Sequence, residues 1–182
     1  TRIIYDAEAL IAPRKIMHRR LLGETVSEAE AISAVKQEAR KARLADAVIA
    51  VSEYEADYFR SYENKTTVVA GHAIRPRRTE NDFASRKDLL FVGALREDDS
   101  PNVDSLVWFM EQCWPAIRTA EPETKLVVVG DNNAPALNEV NDKRIVFRGR
   151  QASIESFYDT CRVFIAPTRF AAGIPHKVHE AA

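Results

Sequence analysis

An α/β fold, with a mainly parallel sheet flanked by helices, is predicted by three observations. Short β-branched runs alternate with longer helical patterns along all 182 residues, the mark of successive βαβ units. AVIAVS (47–52) is continuously apolar before its final serine, as a strand covered on both faces is. The strands of the second half end in Gly or Pro, at Gly93, Gly130, Gly149 and Pro167. Open α/β sheets bind ligands outside the carboxyl ends of their strands, where glycine removes the Cβ obstacle. Each Gly taken singly can also be a plain strand terminator.

RIIYDAE (2–8) reads as the first strand. The helix expected over 27–45 opens on a capping box, Ser27 with Glu30, in which each residue satisfies a backbone N–H of the other. After AVIAVS, Ser52 and Glu55 form a second such box and start a helix over 53–62. TTVVAGHA (66–73) returns as a strand. Residues 74–88 hold a proline and mixed charges without an apolar period, so the domain boundary is expected there. The expected domains are 1–75 and 76–182.

The second half restarts with DLLFVGAL (88–95) as a strand. Ser100-Pro101 is an N-cap followed by proline at the first helical position, and a helix is expected over 102–120 with its apolar stripe through Leu106, Phe109, Met110, Cys113, Trp114 and Ile117. Three more strands are expected at 125–131, 144–149 and 162–167, with short helices at 136–140 and 153–161 and a closing helix near the C-terminus.

Composition narrows the function classes. With 26 basic and 27 acidic residues the net charge is −1, so no global field draws nucleic acid or an anionic membrane. No run approaches the ~18 apolar residues of a membrane span, and a cytoplasmic location is expected. Cys113 and Cys161 are the only cysteines and are expected to be buried. The four histidines show no metal-binding spacing, so neither metal nor cofactor is expected.

Chemistry concentrates in the last segment. Gly173 and Pro175 follow a strand and precede a helix, a context that favours phosphate. Lys177 and Glu180, three residues apart, share one helix face. The cation suits a diphosphate and the carboxylate suits ribose hydroxyls, but the same spacing also describes an ordinary surface ion pair.

Residues 88–131, 144–170 and 172–182, with AGIPHKVHEAA at the close and YDAEA, ADAVIAVSEYEADYF and TTVVAGHA upstream, together resemble the group 1, or family 4, glycosyltransferases of the GT-B fold. The resemblance implies a Rossmann-like donor domain, a nucleotide-diphosphate sugar as substrate, a saccharide, lipid-linked or other small-molecule acceptor, and transfer with retention. It assigns Glu180 to the donor ribose and Lys177 to the diphosphate. Gly173 and Ile174 fall in the turn before them. Gly93 and Arg96 stand where the family approaches the diphosphate, and Gly149 and Arg150 where it cradles the base. Two positions depart from the pattern: Ala172 stands where the family's first Glu contacts the sugar, and Asp98-Asp99 follow Arg96 where a Lys is usual. The resemblance also implies a piece of a longer enzyme, truncated at both ends, inactive alone and prone to self-association. RKIMHRR (14–20), with His18, is a candidate contact for anionic lipid at the inner membrane face, set against the plainer reading of a solvated face. Two alternatives stand beside this reading. One is a non-catalytic binding module of the same fold. The other is an unrelated doubly wound protein, for which the dinucleotide motif G-x-G-x-x-G is lacking.

Overall fold

The computed structural model describes residues 1–182, which divide into two compact units. The first comprises Thr1–Ile74 with Phe170–His176, the second Arg75–Arg169 with Lys177–Ala182.

The first unit holds a three-stranded parallel sheet of β1 (Ile4–Ala7), β2 (Ala47–Ala50) and β3 (Thr66–Val69) in the order β1-β2-β3. Its helices are α1 (Ile11–Leu21), α2 (Glu28–Ala39) and α3 (Glu53–Glu63). Ala7, Leu10, Ile16, Val35, Val48 and Phe59 pack into one core. The expected helix over 27–45 is shorter: α2 stops at Ala39 and passes into a 3-10 turn, Arg40–Ala42.

Both predicted N-caps form, but each box is only half made. Ser27 and Ser52 accept the N–H groups of Glu30 and Glu55, whereas the two glutamate side chains turn elsewhere. Glu30 pairs with Arg19. Glu55 is buried and accepts the Leu10 N–H at 3.1 Å and the Gly173 N–H at 3.3 Å, both on Oε1. Helix α1 was not expected from the sequence. Its N-cap residue, Leu10, offers no side-chain acceptor; Glu38 of α2 supplies one instead, accepting the Ala12 N–H at 2.6 Å.

The second unit is a four-stranded parallel sheet ordered β6-β5-β4-β7, from β4 (Lys87–Val92), β5 (Leu126–Val129), β6 (Ile145–Phe147) and β7 (Cys161–Phe164). Side chains alternate between faces. Phe91, Leu126 and Val128 join the core beneath α4 (Pro101–Gln112) and α5 (Trp114–Ala120). Leu90, Val127, Val129 and Cys161 pack on the opposite face with residues of α6 (Glu155–Thr160). Burial pushes the Cys161 thiol pKa up.

The single helix expected over 102–120 is two. Pro115 has no N–H to donate and its ring crowds the carbonyl of Glu111, so the helix breaks at Cys113. Cys113 is consequently half-buried at the junction rather than interior. The segment 136–140 makes only a 3-10 turn, Pro135–Leu137. The last helix, α7 (His176–Ala181), begins one residue after Pro175. No helix is long and apolar enough to cross a membrane.

The order β6-β5-β4-β7 contains one reversal of direction. From β4 the chain builds outward through β5 to β6, then returns to the other side of β4 as β7. The direction of winding reverses at β4, and crevices in such sheets open at the carboxyl ends of the strands beside that reversal.

Candidate functional site

At the carboxyl end of β4 the backbone comes unusually close to its neighbour. The Gly93 N–H donates to the Val129 carbonyl at 3.0 Å, and the Gly130 N–H to the Gly149 carbonyl at 3.0 Å. Gly130 sits at φ +143°, and a Cβ there would fall 1.9 Å from the Gly93 oxygen. Only glycine fits at that position. Gly93 is different: a Cβ on it would meet the Asn102 side chain at 2.9 Å. Its bareness leaves room for that amide.

Asn102 is the second residue of α4, which Ser100 caps by accepting the Val103 N–H at 3.3 Å. Its Nδ2 donates to the Ala94 carbonyl at 3.1 Å, and its Oδ1 accepts from Lys177 Nζ at 2.8 Å. The same ammonium lies 4.7 Å from the centroid of the Phe91 ring, a cation–π contact. Lys177 is thus half-buried among an amide oxygen and an aromatic face, both neutral. Desolvation lowers its pKa below the usual lysine range.

Glu180, on the same helix, is exposed. It receives a long hydrogen bond from the Tyr158 hydroxyl, 3.5 Å. Burial first, and then the neighbouring carboxylate, push the Tyr158 pKa up to about 12.

The other residues expected from the sequence are placed as follows. Arg96 pairs with Asp131 at 2.9 Å while most of its side chain stays in solvent, an arrangement of small energetic worth. Gly149 follows β6 and Arg150 is exposed. Gly173 (φ +69°) and Ile174 belong to the segment that clusters with the first unit. There a Cβ on Gly173 would crowd the Glu8 carbonyl at 3.1 Å and Ala9 at 3.2 Å, and a Cβ on Gly71 would touch Ile174 at 4.0 Å. In the RKIMHRR cluster, Arg19 pairs with Glu24 and Glu30, Arg20 with Glu28, and His18 stacks on Phe170. Two of its charges are therefore matched within the unit.

Lys177, Gly93 and Asn102 are brought together in the second unit, and Tyr158 is brought to Glu180. Asn102 and Tyr158 were not singled out from the sequence, and Glu55 only as the capping partner of Ser52. For Asn102 a signal existed: it stands two residues past the N-cap of the first helix after a strand ending in Gly.

Comparison with known proteins agrees with this architecture. Among solved structures, the chain is similar to TarM (TM-score 0.63, 11% identity, covering 82% of this chain and 30% of that one). It is also similar to Anabaena Alr3699/HepE in complex with UDP and glucose (TM-score 0.54, 14% identity, 90% and 45%). A third likeness is to a mutant of S. aureus TarM in complex with Fondaparinux, alpha-GlcNAc-glycerol and UDP (TM-score 0.55, 12% identity, 78% and 29%). At these identities the likeness is one of fold, and the chain spans less than half the length of each. A search of curated proteins found no match. Residues 86–182, more than half of the chain and all of the sheet in the second unit, match the family model for Glycosyl transferases group 1. The chain therefore belongs to the group 1 glycosyltransferases, with the parallel-sheet architecture of their GT-B structures.

Proposed function

We propose that the second unit carries the nucleotide-sugar site of a glycosyltransferase, which moves a sugar from a nucleoside-diphosphate donor to a saccharide, lipid-linked or other small-molecule acceptor with retention of configuration. The observation that carries this reading is Lys177: a half-buried ammonium at the carboxyl end of the reversal strand, held by an amide and a ring rather than by a carboxylate. A buried charge without a counter-charge is costly, and an anionic ligand would relieve that cost.

In glycosyl transfer the bond from the sugar's anomeric carbon to the diphosphate oxygen breaks, and negative charge grows on the departing diphosphate. A fixed cation stabilises that charge more in the transition state than in the ground state. Lys177 fills this role, with Gly93 allowing close approach of the phosphates. Glu180, steadied by Tyr158, accepts hydrogen bonds from the ribose. Gly149 and Arg150 flank the base. Arg96 reaches the diphosphate only by leaving Asp131. The cation is the protein's own, so the reading calls for no metal or further cofactor. A cytoplasmic location goes with it. UDP is the first nucleotide to test, since it accompanies two of the similar structures.

The test is calorimetric titration with UDP, GDP and their sugar conjugates. One nucleotide is expected to bind saturably. Lys177→Met should weaken it about tenfold or more, as loss of a charge-assisted contact does. Glu180→Ala should weaken the nucleotide but leave inorganic pyrophosphate unchanged. A folded chain that binds no nucleotide, or a Lys177→Met variant that binds as wild type does, would overturn the reading.

A further inference from the structure

No carboxylate pairs with Lys177, and those of the loops after β4 and β5, of α4 and of α7 are engaged elsewhere. Asp98, in the loop after β4, accepts the Ala136 N–H at 3.0 Å. Asp104, two residues along α4 from Asn102, is held by Arg169. Asp131, after β5, is held by Arg96, and Glu180 faces Tyr158. The position directly against the ammonium is occupied by an amide.

That amide is doubly committed. A carbonyl oxygen can only accept and an ammonium can only donate. The Ala94 carbonyl therefore requires the Asn102 nitrogen, and Lys177 requires its oxygen. Aspartate would have the same shape, but it would set an oxygen against the Ala94 carbonyl and a full negative charge against Lys177. An internal carboxylate at this distance would add the attraction of a full opposite charge to the bond the ammonium already makes, and it would compete with any incoming anion.

We propose that Asn102 is a positioning residue that fixes the Lys177 ammonium over the Phe91 ring near the end of β4 while withholding a counter-charge from it, so that the charge stays available to the diphosphate. This rests on the reading of Lys177 as the diphosphate's cation. A residue that merely filled space would be replaced better by aspartate than by alanine. A residue that withholds charge requires the reverse order.

The experiment compares UDP and inorganic pyrophosphate binding in wild type, Asn102→Ala, Asn102→Asp and Lys177→Met, with thermal unfolding to establish that each is folded. Asn102→Ala should bind a few-fold more weakly than wild type and Asn102→Asp about tenfold or more. Asn102→Asp binding as well as Asn102→Ala, or better, overturns the proposal while a weakened Lys177→Met leaves the donor-site reading intact. An unweakened Lys177→Met overturns that reading itself, and the proposal with it. A second measurement needs no folded aspartate variant: NMR of carbon-labelled lysine in wild type should show the Lys177 amine titrating below the ordinary lysine range, and moving up when UDP is added. An amine titrating normally without UDP overturns the proposal.

Discussion

One oxygen of Glu55, in α3, accepts the backbone N–H of Gly173 at 3.3 Å, 118 residues further along the chain. The same oxygen accepts the Leu10 N–H, so one buried carboxylate orders both the start of α1 and the turn that precedes α7. Glu55→Ala leaves one buried and one partly buried donor unmet and should destabilise the protein by roughly 2–4 kcal/mol. Glu55→Gln keeps an acceptor and should cost about 1 kcal/mol. Chemical denaturation of the two variants checks this, and equal losses would show that the acceptor is not what matters.

Lys177 makes stability depend on pH in a direction fixed by its environment. Burial depresses its pKa in the folded protein. Between that value and the ordinary lysine pKa, the unfolded chain binds more protons than the folded one, so stability rises with pH through this window. Below it the buried charge is a cost. Lys177→Met should melt higher than wild type at neutral pH, with the gap closing as pH nears the ordinary lysine pKa. Melting curves across that range read the effect, and a gap that widens with pH would contradict the sign.

Tyr158 is predicted to act on Glu180 rather than on the fold. Tyr158→Phe removes a long, weak hydrogen bond and should lower nucleotide affinity only about two- to threefold, with pyrophosphate binding unchanged. Parallel titrations with UDP and pyrophosphate test it. Losses that match for both ligands would place the effect elsewhere.

The strand-end glycines should differ sharply in tolerance. Gly149→Ala meets no atom within 4 Å and incurs only the left-handed backbone strain of its φ of +64°, about 1–2 kcal/mol. Gly130→Ala drives a methyl into the Gly93 carbonyl and should cost more than about 3 kcal/mol or prevent folding. Comparing their unfolding midpoints distinguishes a steric requirement from a general preference for glycine at strand ends.

Short-range signals carried much of the architecture. Ser27, Ser52 and Ser100 cap where their neighbours in sequence say they should, and each expected strand forms, shorter at its carboxyl end, with β4 and β7 starting one residue early. What stayed hidden was settled over distance. Helix α1 has no cap of its own, and its first N–H groups are met by Glu38 and Glu55 from two later helices. The capping-box pattern showed Glu55 as a local partner of Ser52, but two remote N–H groups claimed its side chain. The break at Cys113 was legible in principle, since Pro115 forbids a continuous helix, but the apolar stripe runs on past it and masks it. In the site, Lys177 and Glu180 could be read from the closing motif. Asn102 lies 75 residues from Lys177, and periodicity carries no information about that pairing.

The segment Phe170–His176 completes the first unit only after the whole of Arg75–Arg169 has been threaded through the second. Joining residues 118 apart through a flexible chain costs roughly 4 kcal/mol in closure entropy. If the second unit collapses first, its folded body replaces most of that loop and the penalty falls. The consequence is an order of events: α1 already has its acceptors in Glu38 and Glu55, whereas Gly173 reaches Glu55 late, so docking of Phe170–His176 should follow, not precede, formation of the four-stranded sheet.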